Sequence, residues 1–385
     1  MKRKKLAIIT THPIQYNAPL FSLLQQRNGI EIKVFYTWGK TVLEKKYDPG
    51  FERDIEWDIP LLTGYEYVFV ENTALEKGSH HYNGIDNPTI IDDIKSWGPD
   101  AILVYGWKFK SHLKVLRFFK GKIPVLFRGD SIIPGKSLKN TIRFLFLKII
   151  YRYIDVALYT GEKNRAYFEA TGLKTHQLIF APHAIDNKRF EPIDGHKVKA
   201  NRWKHELGIG LTDVVFLFAG KLESKKNPRL LLETFRNLGL SGTALVVAGN
   251  GILEKDLKKE YSGESNIYFL DFQNQSVMPS LYQMADVFVL PSQGPGETWG
   301  LAVNEAMASA KPVLVSDACG CTPDLVENGV NGYSFPRNDQ EKLQVLVKTL
   351  VMDKDTLPSM GQSGFNMIQG FSLEVLAGII EKTVN

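Results

Sequence analysis

Two doubly wound α/β domains are predicted by three observations. Short runs that are apolar on both faces alternate with longer amphipathic segments, the series restarts once, and a polar junction, EPIDGHKVKANRWKHEL (191–207), divides the two series. Runs hydrophobic on both faces with helical segments between them are what parallel strands covered by helices require. The first series is LAIIT (6–10), EIKVFYT (31–37), AILVYG (101–106), PVLFRG (124–129) and DVALYTG (155–161). The second is VVFLFAG (214–220), TALVVAGNG (243–251), NIYFLDF (266–272), DVFVLPS (286–292) and PVLVSD (312–317). The division gives two Rossmann-like domains, one over 1–190 and one over 191–370, followed by a last helix in 371–385. No short repeat or low-complexity tract interrupts them.

A chain of 385 residues is long enough for two such cores. Its apolar (44%) and charged (23%) fractions are those of an ordinary soluble globular protein. The start, MKRKK before LAIITTHPIQY, has too short an apolar run for a signal peptide. The most apolar stretch, FLFLKIIYRYI, is cut by Lys148 and Arg152 and falls short of the ~18 uncharged residues of a membrane span. Cys319 and Cys321, in C-G-C, make no disulfide framework, and no histidine pair near them completes a zinc site. A cytoplasmic protein with reduced thiols is expected.

The net charge of +5 is unevenly spread. Residues 101–154 hold twelve Lys and Arg against one acid, Asp130, a net +11 that leaves −6 for the rest. On a helix Lys110, Lys114, Arg117 and Lys120 share one side. That side is either a solvated face or a patch for an anionic membrane or acceptor. Nucleic acid is not expected, since no recognisable nucleic-acid-binding motif accompanies the charge. From Glu44 to Asn87 the chain is rich in Trp, Tyr, Pro and Asp without periodicity, as functional loops often are.

The stretch GPGETWGLAVNEAMASAKPV carries the densest chemistry. It follows the run DVFVLPS, so the order is strand, glycine-rich turn, helix. The first N–H groups of a helix lack internal partners and carry partial positive charge, which favours a phosphate or sugar hydroxyl. Glu297 and Glu305 flank that helix start, and a carboxylate accepts from two adjacent hydroxyls of a ribose or hexose. Eight helical residues span about 12 Å, roughly the reach from ribose to sugar in a nucleotide-diphosphate sugar. For isolated glutamates the alternative is that Glu297 complements the helix dipole and Glu305 is solvated.

Lys221 and Lys226 follow the first strand of the second series, at the end that faces the ligand crevice of a doubly wound sheet. There they either neutralise a departing diphosphate or are solvated loop lysines, and charge alone does not separate Lys226 from Lys225. The turn Gly249-Asn250-Gly251 fits any tight turn. In TTHPIQYNAP, His12, Gln15 and Asn17 form with Thr11 a polar cluster at the first strand's end. Arg128 and Asp130 end the fourth run. Arg128 is no base but binds anions, and Asp130 can orient a hydroxyl; alternatively the two form a structural pair.

LYQMADVFVLPS, then Glu297, seven residues, E-A-M-A, K-P-V and DLVENGVNGYSFP closely resembles the retaining glycosyltransferases of family 4, the group 1 family. The resemblance continues in FAGKLESKKNPRLLLETF and APHAIDNKRF and covers most of 178–340. It implies the GT-B fold, two Rossmann-like domains facing each other across a substrate cleft, with the last helix crossing back onto the first domain. It implies metal-independent transfer from a nucleotide-diphosphate sugar, a UDP-sugar being slightly favoured, to a hydroxyl of a glycan or lipid-linked acceptor, with no cofactor. Cell-surface polysaccharide or lipid-linked oligosaccharide synthesis is the setting this implies. Glu297 would then contact the donor sugar and Glu305 the ribose. The N–H groups of Thr298, Trp299, Gly300 and Leu301 would meet sugar or diphosphate, Gly249 and Gly251 the nucleotide, and Phe272 the base. Lys221 stands where the family usually has arginine, and the match favours Lys226 over Lys225 for the diphosphate. As a point charge, lysine lacks the bidentate fork of arginine. The acceptor would meet the first domain, through His12, Gln15, Asn17 and the irregular 44–87 segment.

The chain departs from the family in three places. It has no glycine loop between Ile9 and Asn28, Arg128 replaces a histidine that several members carry, and His183 replaces an asparagine in APHAID. Two alternatives stay open: an epimerase or phosphorolytic enzyme on the same fold, or a catalytically silent scaffold for a partner transferase. A peripheral location at the inner face of the membrane follows from the basic segment and a lipid-linked acceptor.

Overall fold

All ten runs read as strands from their apolar pattern form strands in the computed structural model, which describes residues 3–40, 46–48, 51–135, 137–294 and 296–385. In chain order the strands are β1 (Lys5–Thr10), β2 (Glu31–Tyr36), β3 (Lys46–Asp48), β4 (Arg53–Ile55), β5 (Glu66–Phe69), β6 (Ala101–Tyr105), β7 (Val125–Arg128), β8 (Val156–Tyr159) and β9 (Leu178–Phe180). They continue with β10 (Val214–Ala219), β11 (Thr243–Ala248), β12 (Ile267–Leu270), β13 (Val287–Leu290), β14 (Val313–Ser316) and β15 (Gly332–Phe335).

Seven strands make one sheet in the order β5-β2-β1-β6-β7-β8-β9, and six make another in the order β12-β11-β10-β13-β14-β15. Neighbours within each sheet pair parallel. The strands β10 and β11 are buried at every residue, so their sequences are unbroken apolar runs rather than alternating ones. The strands that the pattern missed, β5, β9 and β15, lie at sheet edges, where half-exposed residues blur the signal. β3 and β4 form a separate two-stranded ladder.

The chain divides into two compact units: Met1–Lys46, Pro60–His183 and Leu373–Asn385 in the first, Tyr47–Ile59 and Ala184–Ser372 in the second. In the first, Ile102, Val104, Leu116, Phe127, Leu147 and Phe168 belong to one buried cluster between sheet and helices. In the second, Phe216, Phe218, Leu231, Phe235, Leu245 and Leu343 do the same. The last helix, Leu373–Val384, lies in the first unit beside the helix Ala18–Arg27, where Arg27 donates through Nε and Nη2 to Glu381 at 3.0 and 2.8 Å. Among the described residues no helix is long and apolar enough to cross a membrane.

Candidate functional site

The carboxyl ends of the second sheet's strands carry most of the candidate residues, as a doubly wound sheet requires of a ligand edge. Gly249 follows β11 with φ +137°, and a Cβ there would lie 2.0 Å from the carbonyl oxygen of Gly220 at the end of β10. That close approach makes the glycine obligatory. Asn250, which sequence reasoning passed over, ties three strand ends together. Its Oδ1 accepts from the Phe272 N–H at 2.7 Å, its carbonyl accepts from the Leu222 N–H at 2.9 Å, and its Nδ2 donates to Glu254 and Asp271. The centre of a Gly-Asn-Gly turn was the available signal.

Lys226 closes a one-turn helix, Ser224–Lys226, held in place by Gln293, whose N–H donates to the Lys225 carbonyl at 2.9 Å and whose Nε2 donates to the Ser224 carbonyl at 2.6 Å. The Lys226 ammonium forms an ion pair with Glu297, whose carboxylate also accepts from Ser292 Oγ at 3.1 Å. Lys226 and Glu297, assigned from sequence to different parts of a ligand, are therefore direct partners. Lys226 is therefore not the solvated loop lysine of the alternative reading: the side chains of the pair are 16% and 9% exposed.

The helix after the glycine-rich turn runs only from Leu301 to Ala308. Glu297 lies in the turn before it, so the expected eight helical residues between the two carboxylates are not there. Gly300 starts the helix at φ +106°, and a Cβ on it would meet Leu290 at 2.9 Å. Glu305 is 3% exposed and accepts from Tyr282 Oη at 2.8 Å, so it too is buried rather than solvated. Trp299 is buried and donates from Nε1 to Asn304 at 2.8 Å. Thr298 is half-buried beside it. The C-G-C segment has a backbone role that its thiols did not suggest: Gly320 and Cys321 donate N–H to the carbonyls of Glu297 and Trp299 at 3.1 and 3.0 Å. A Cβ on Gly320 would fall 1.7 Å from the Thr298 oxygen. Gly251 follows Asn250 with φ +151°.

Part of the irregular 44–87 segment is not where the acceptor reading put it. Tyr47–Ile59 belongs to the second unit, although Glu44, Lys45, Pro49 and Gly50 lie outside the described residues. Asp58 accepts from the Ser276 N–H at 3.1 Å, and Asn274 donates to the Glu56 carbonyl at 2.6 Å. These bonds place Phe51 and Trp57 against Phe272, with ring centroids 4.9 and 6.2 Å away, and the Lys221 ammonium lies 4.7 Å from the Phe51 ring.

In the first unit, the carboxyl ends of β1 and β7 hold the other candidates. His12 Nδ1 is 2.8 Å from Thr11 Oγ1, and the ring meets Trp38 edge-on at 5.2 Å. Gln15 and Asn17 are half-buried in the turn leading to the helix Ala18–Arg27. Arg128 is buried and donates to the carbonyls of Ala181 and Pro182 at 2.9 and 2.8 Å, which fixes the segment carrying His183. His183 is pushed down to about 4, first by burial and then by the positive charge of Arg128, against the opposing effect of Asp130. Arg128, Asp130 and His183 thus form one electrostatic group.

Two of the four cations on the 110–120 face, Lys110 and Lys120, are neutralised by aspartates. In the helix Lys110–Phe119 and the residue after it, Lys110 pairs with Asp86 at 2.5 Å, Lys114 donates to the Pro88 carbonyl at 3.0 Å, and Lys120 pairs with Asp155. The partners lie outside the 101–154 window, so counting charges within it could not find them. Lys136 lies outside the described residues, as does the side chain of Lys139. Among the described residues no group of three His, Cys, Asp or Glu is placed to hold a metal ion. A cavity of about 370 Å³ opens at the amino ends of β10 and β14, lined by Lys204, Asp286 and Lys311 among others, and none of the candidate residues lines it.

Two parallel-sheet units with candidate groups at their strand ends have the GT-B fold. Residues 199–367 match the family described as "Glycosyl transferases group 1". It is 24% identical over 295 residues to the sulfoquinovosyl transferase of Arabidopsis thaliana, an alignment covering 72% of this chain and 54% of that protein. It is 29% identical over 316 residues to the UDP-Gal:alpha-D-GlcNAc-diphosphoundecaprenol alpha-1,3-galactosyltransferase of Escherichia coli, covering 74% and 78%. The chain thus spans about half the length of the plant relative. Among solved structures, Anabaena HepE in complex with UDP and glucose has a TM-score of 0.73 at 17% identity and covers 99% of both chains, which shows the fold.

Proposed function

We propose that this protein transfers a sugar from a nucleotide-diphosphate sugar to an acceptor hydroxyl, with retention of anomeric configuration and without a metal ion. The observation that carries the reading is the buried Lys226–Glu297 pair beside the glycine-rich turn. An ammonium there meets the charge that grows on the departing diphosphate, and a carboxylate beside it accepts from sugar hydroxyls. Lys221 adds a second positive charge beyond the end of β10. The bond from the anomeric carbon to phosphate breaks, the acceptor oxygen bonds on the same face, and the departing phosphate takes the acceptor's proton. The name of the E. coli relative, with its UDP-linked donor and lipid-diphosphate-linked acceptor, supports a nucleotide-sugar donor and a lipid-linked glycan acceptor here. The groups around His12, Arg128 and Asp130 are assigned to the acceptor side.

A panel of sugar nucleotides, assayed with EDTA present, tests the reading. Turnover or binding of at least one donor is expected, and a chain that binds none would overturn it. Incubation of donor without acceptor separates transfer from its alternative, since an epimerised nucleotide sugar as the main product would favour an epimerase.

The aromatic group of Phe51, Trp57 and Phe272 is assigned to the nucleobase. Stacking of a base on an aromatic ring is worth about 1–3 kcal/mol, so Phe51→Ala or Trp57→Ala is expected to weaken UDP binding at least about fivefold. Pyrophosphate, which lacks a base, should bind the variants as it binds the parent. Calorimetric titration with both ligands is the measurement, and equal losses for the two would remove the base assignment.

A further inference from the structure

The helix Leu138–Tyr151 turns an apolar stripe to solvent. Ile142, Leu145, Phe146 and Ile149 follow a spacing of three and four residues and are 62, 60, 53 and 52% exposed. Residues so spaced lie on one helical face. The opposite face is accounted for, because Leu147, Ile150 and Tyr151 are buried in the first unit. Scattered exposed hydrophobics are ordinary, whereas four large ones on one face are not.

Charge identifies the occupant. The helix contains no acidic residue, and Arg143, Lys148 and, just past its end, Arg152 are exposed. At 100° per residue, Arg143 falls on one shoulder of the stripe and Lys148 and Arg152 on the other. An apolar face between basic shoulders suits a helix lying in the plane of an anionic membrane, its apolar side in the headgroup–acyl boundary and its cations among the phosphates. The stripe also borders the sheet's ligand edge: Phe146 meets the ring of Trp107, just beyond β6, at 6.3 Å.

We infer that the helix Leu138–Tyr151 is a monotopic docking surface for an anionic lipid bilayer, and that it rather than the paired face of Lys110 and Lys120 holds the protein at the membrane. The inference stands apart from the proposed reaction, because docking needs no donor. It places the segment just beyond β6, where Trp107 meets Phe146, beside the lipid headgroups.

Sedimentation with vesicles tests it, using phosphatidylcholine alone and phosphatidylcholine with about 30% phosphatidylglycerol, at low and high salt. The intact chain should pellet with anionic vesicles at low salt and bind neutral ones far more weakly. The paired change Leu145→Ser and Phe146→Ser should cut anionic binding by about tenfold or more. Each of Arg143→Gln, Lys148→Gln and Arg152→Gln should weaken it about fivefold. Lys110→Gln with Lys120→Gln should leave it within about twofold, because each is already ion-paired to an aspartate. Unchanged melting temperature of the serine variant shows that it folds. A chain that stays in the supernatant at low salt, or a serine variant that pellets like the parent, overturns the inference. So does a dimer, seen by light scattering, that the serine changes dissociate, since the stripe would then be an interface between copies.

Discussion

Lys226→Ala is expected to lower kcat with the preferred sugar nucleotide by about 10²–10³-fold, the usual cost of removing one group that meets charge developing in a transition state. It is also expected to destabilise the fold, because Glu297 would stay buried and bonded to Ser292 Oγ but without its counter-ion. Removing one partner of a buried pair costs about 3–5 kcal/mol, and the remaining exposure of both side chains points to the low end. The two effects separate in a double variant. Lys226→Met with Glu297→Gln removes both charges and should recover most of the stability while leaving turnover low. Urea midpoints and single-turnover rates on the parent, the single and the double variants are the measurements. A single variant that keeps turnover within about threefold would show that the pair is structural and take Lys226 out of the chemistry. Glu305→Ala removes one acceptor of Tyr282 Oη, leaving the Ala302 carbonyl at 3.3 Å, and is expected to raise the donor KM, since Glu305 is assigned to the ribose.

Acid should unfold the protein earlier than its carboxylates alone require. His112 is fully buried, with Nδ1 3.1 and 3.0 Å from the carbonyls of Tyr105 and Gly106 and Nε2 2.9 Å from Thr37 Oγ1. Facing two carbonyls, Nδ1 is assigned the proton and Nε2 the acceptor role. Burial pushes His112 down to about 4, against those two backbone bonds, and His183 is pushed to about 4 as well. Between pH 6.5 and 4 the unfolded chain therefore takes up protons at both histidines while the folded chain does not. Stability from this source is complete above about pH 6.5 and is lost as pH falls toward about 4. By pH 5 the loss from His112 is about 2 kcal/mol, and His183 acts in the same direction. Urea midpoints at about pH 7.5, 6 and 5 should fall accordingly, and His112→Gln should flatten the slope. A midpoint that stays constant over that range would contradict the buried neutral state.

Much of the candidate site was legible because its chemistry is local in sequence. The glycine-rich turn entering Leu301–Ala308, Lys226 in its short turn and Gly249 after β11 each lie within a few residues of the strand that presents them. The identity of partners was not legible. Glu297 is 71 residues from Lys226, and Phe51 more than 200 from Phe272, and only packing brings them together. The charge balance of the basic face was hidden for the same reason. Its neutralising partners, Asp86 and Asp155, come from other elements. The apolar face of Leu138–Tyr151 was hidden because an apolar run reads alike whether its residues are covered or bare.

By itself the sequence determined the two parallel sheets, their central strands and the strand ends at which the candidate groups cluster. Those follow from backbone periodicity and from where apolar residues must go, which are properties of neighbouring residues. Tertiary structure alone decided that Lys226 faces Glu297, that Arg128 serves the carbonyls of Ala181 and Pro182, and that 47–59 lies against Phe272. Each of these is a contact between distant segments, set by how whole elements pack and by which buried polar group must find a partner there.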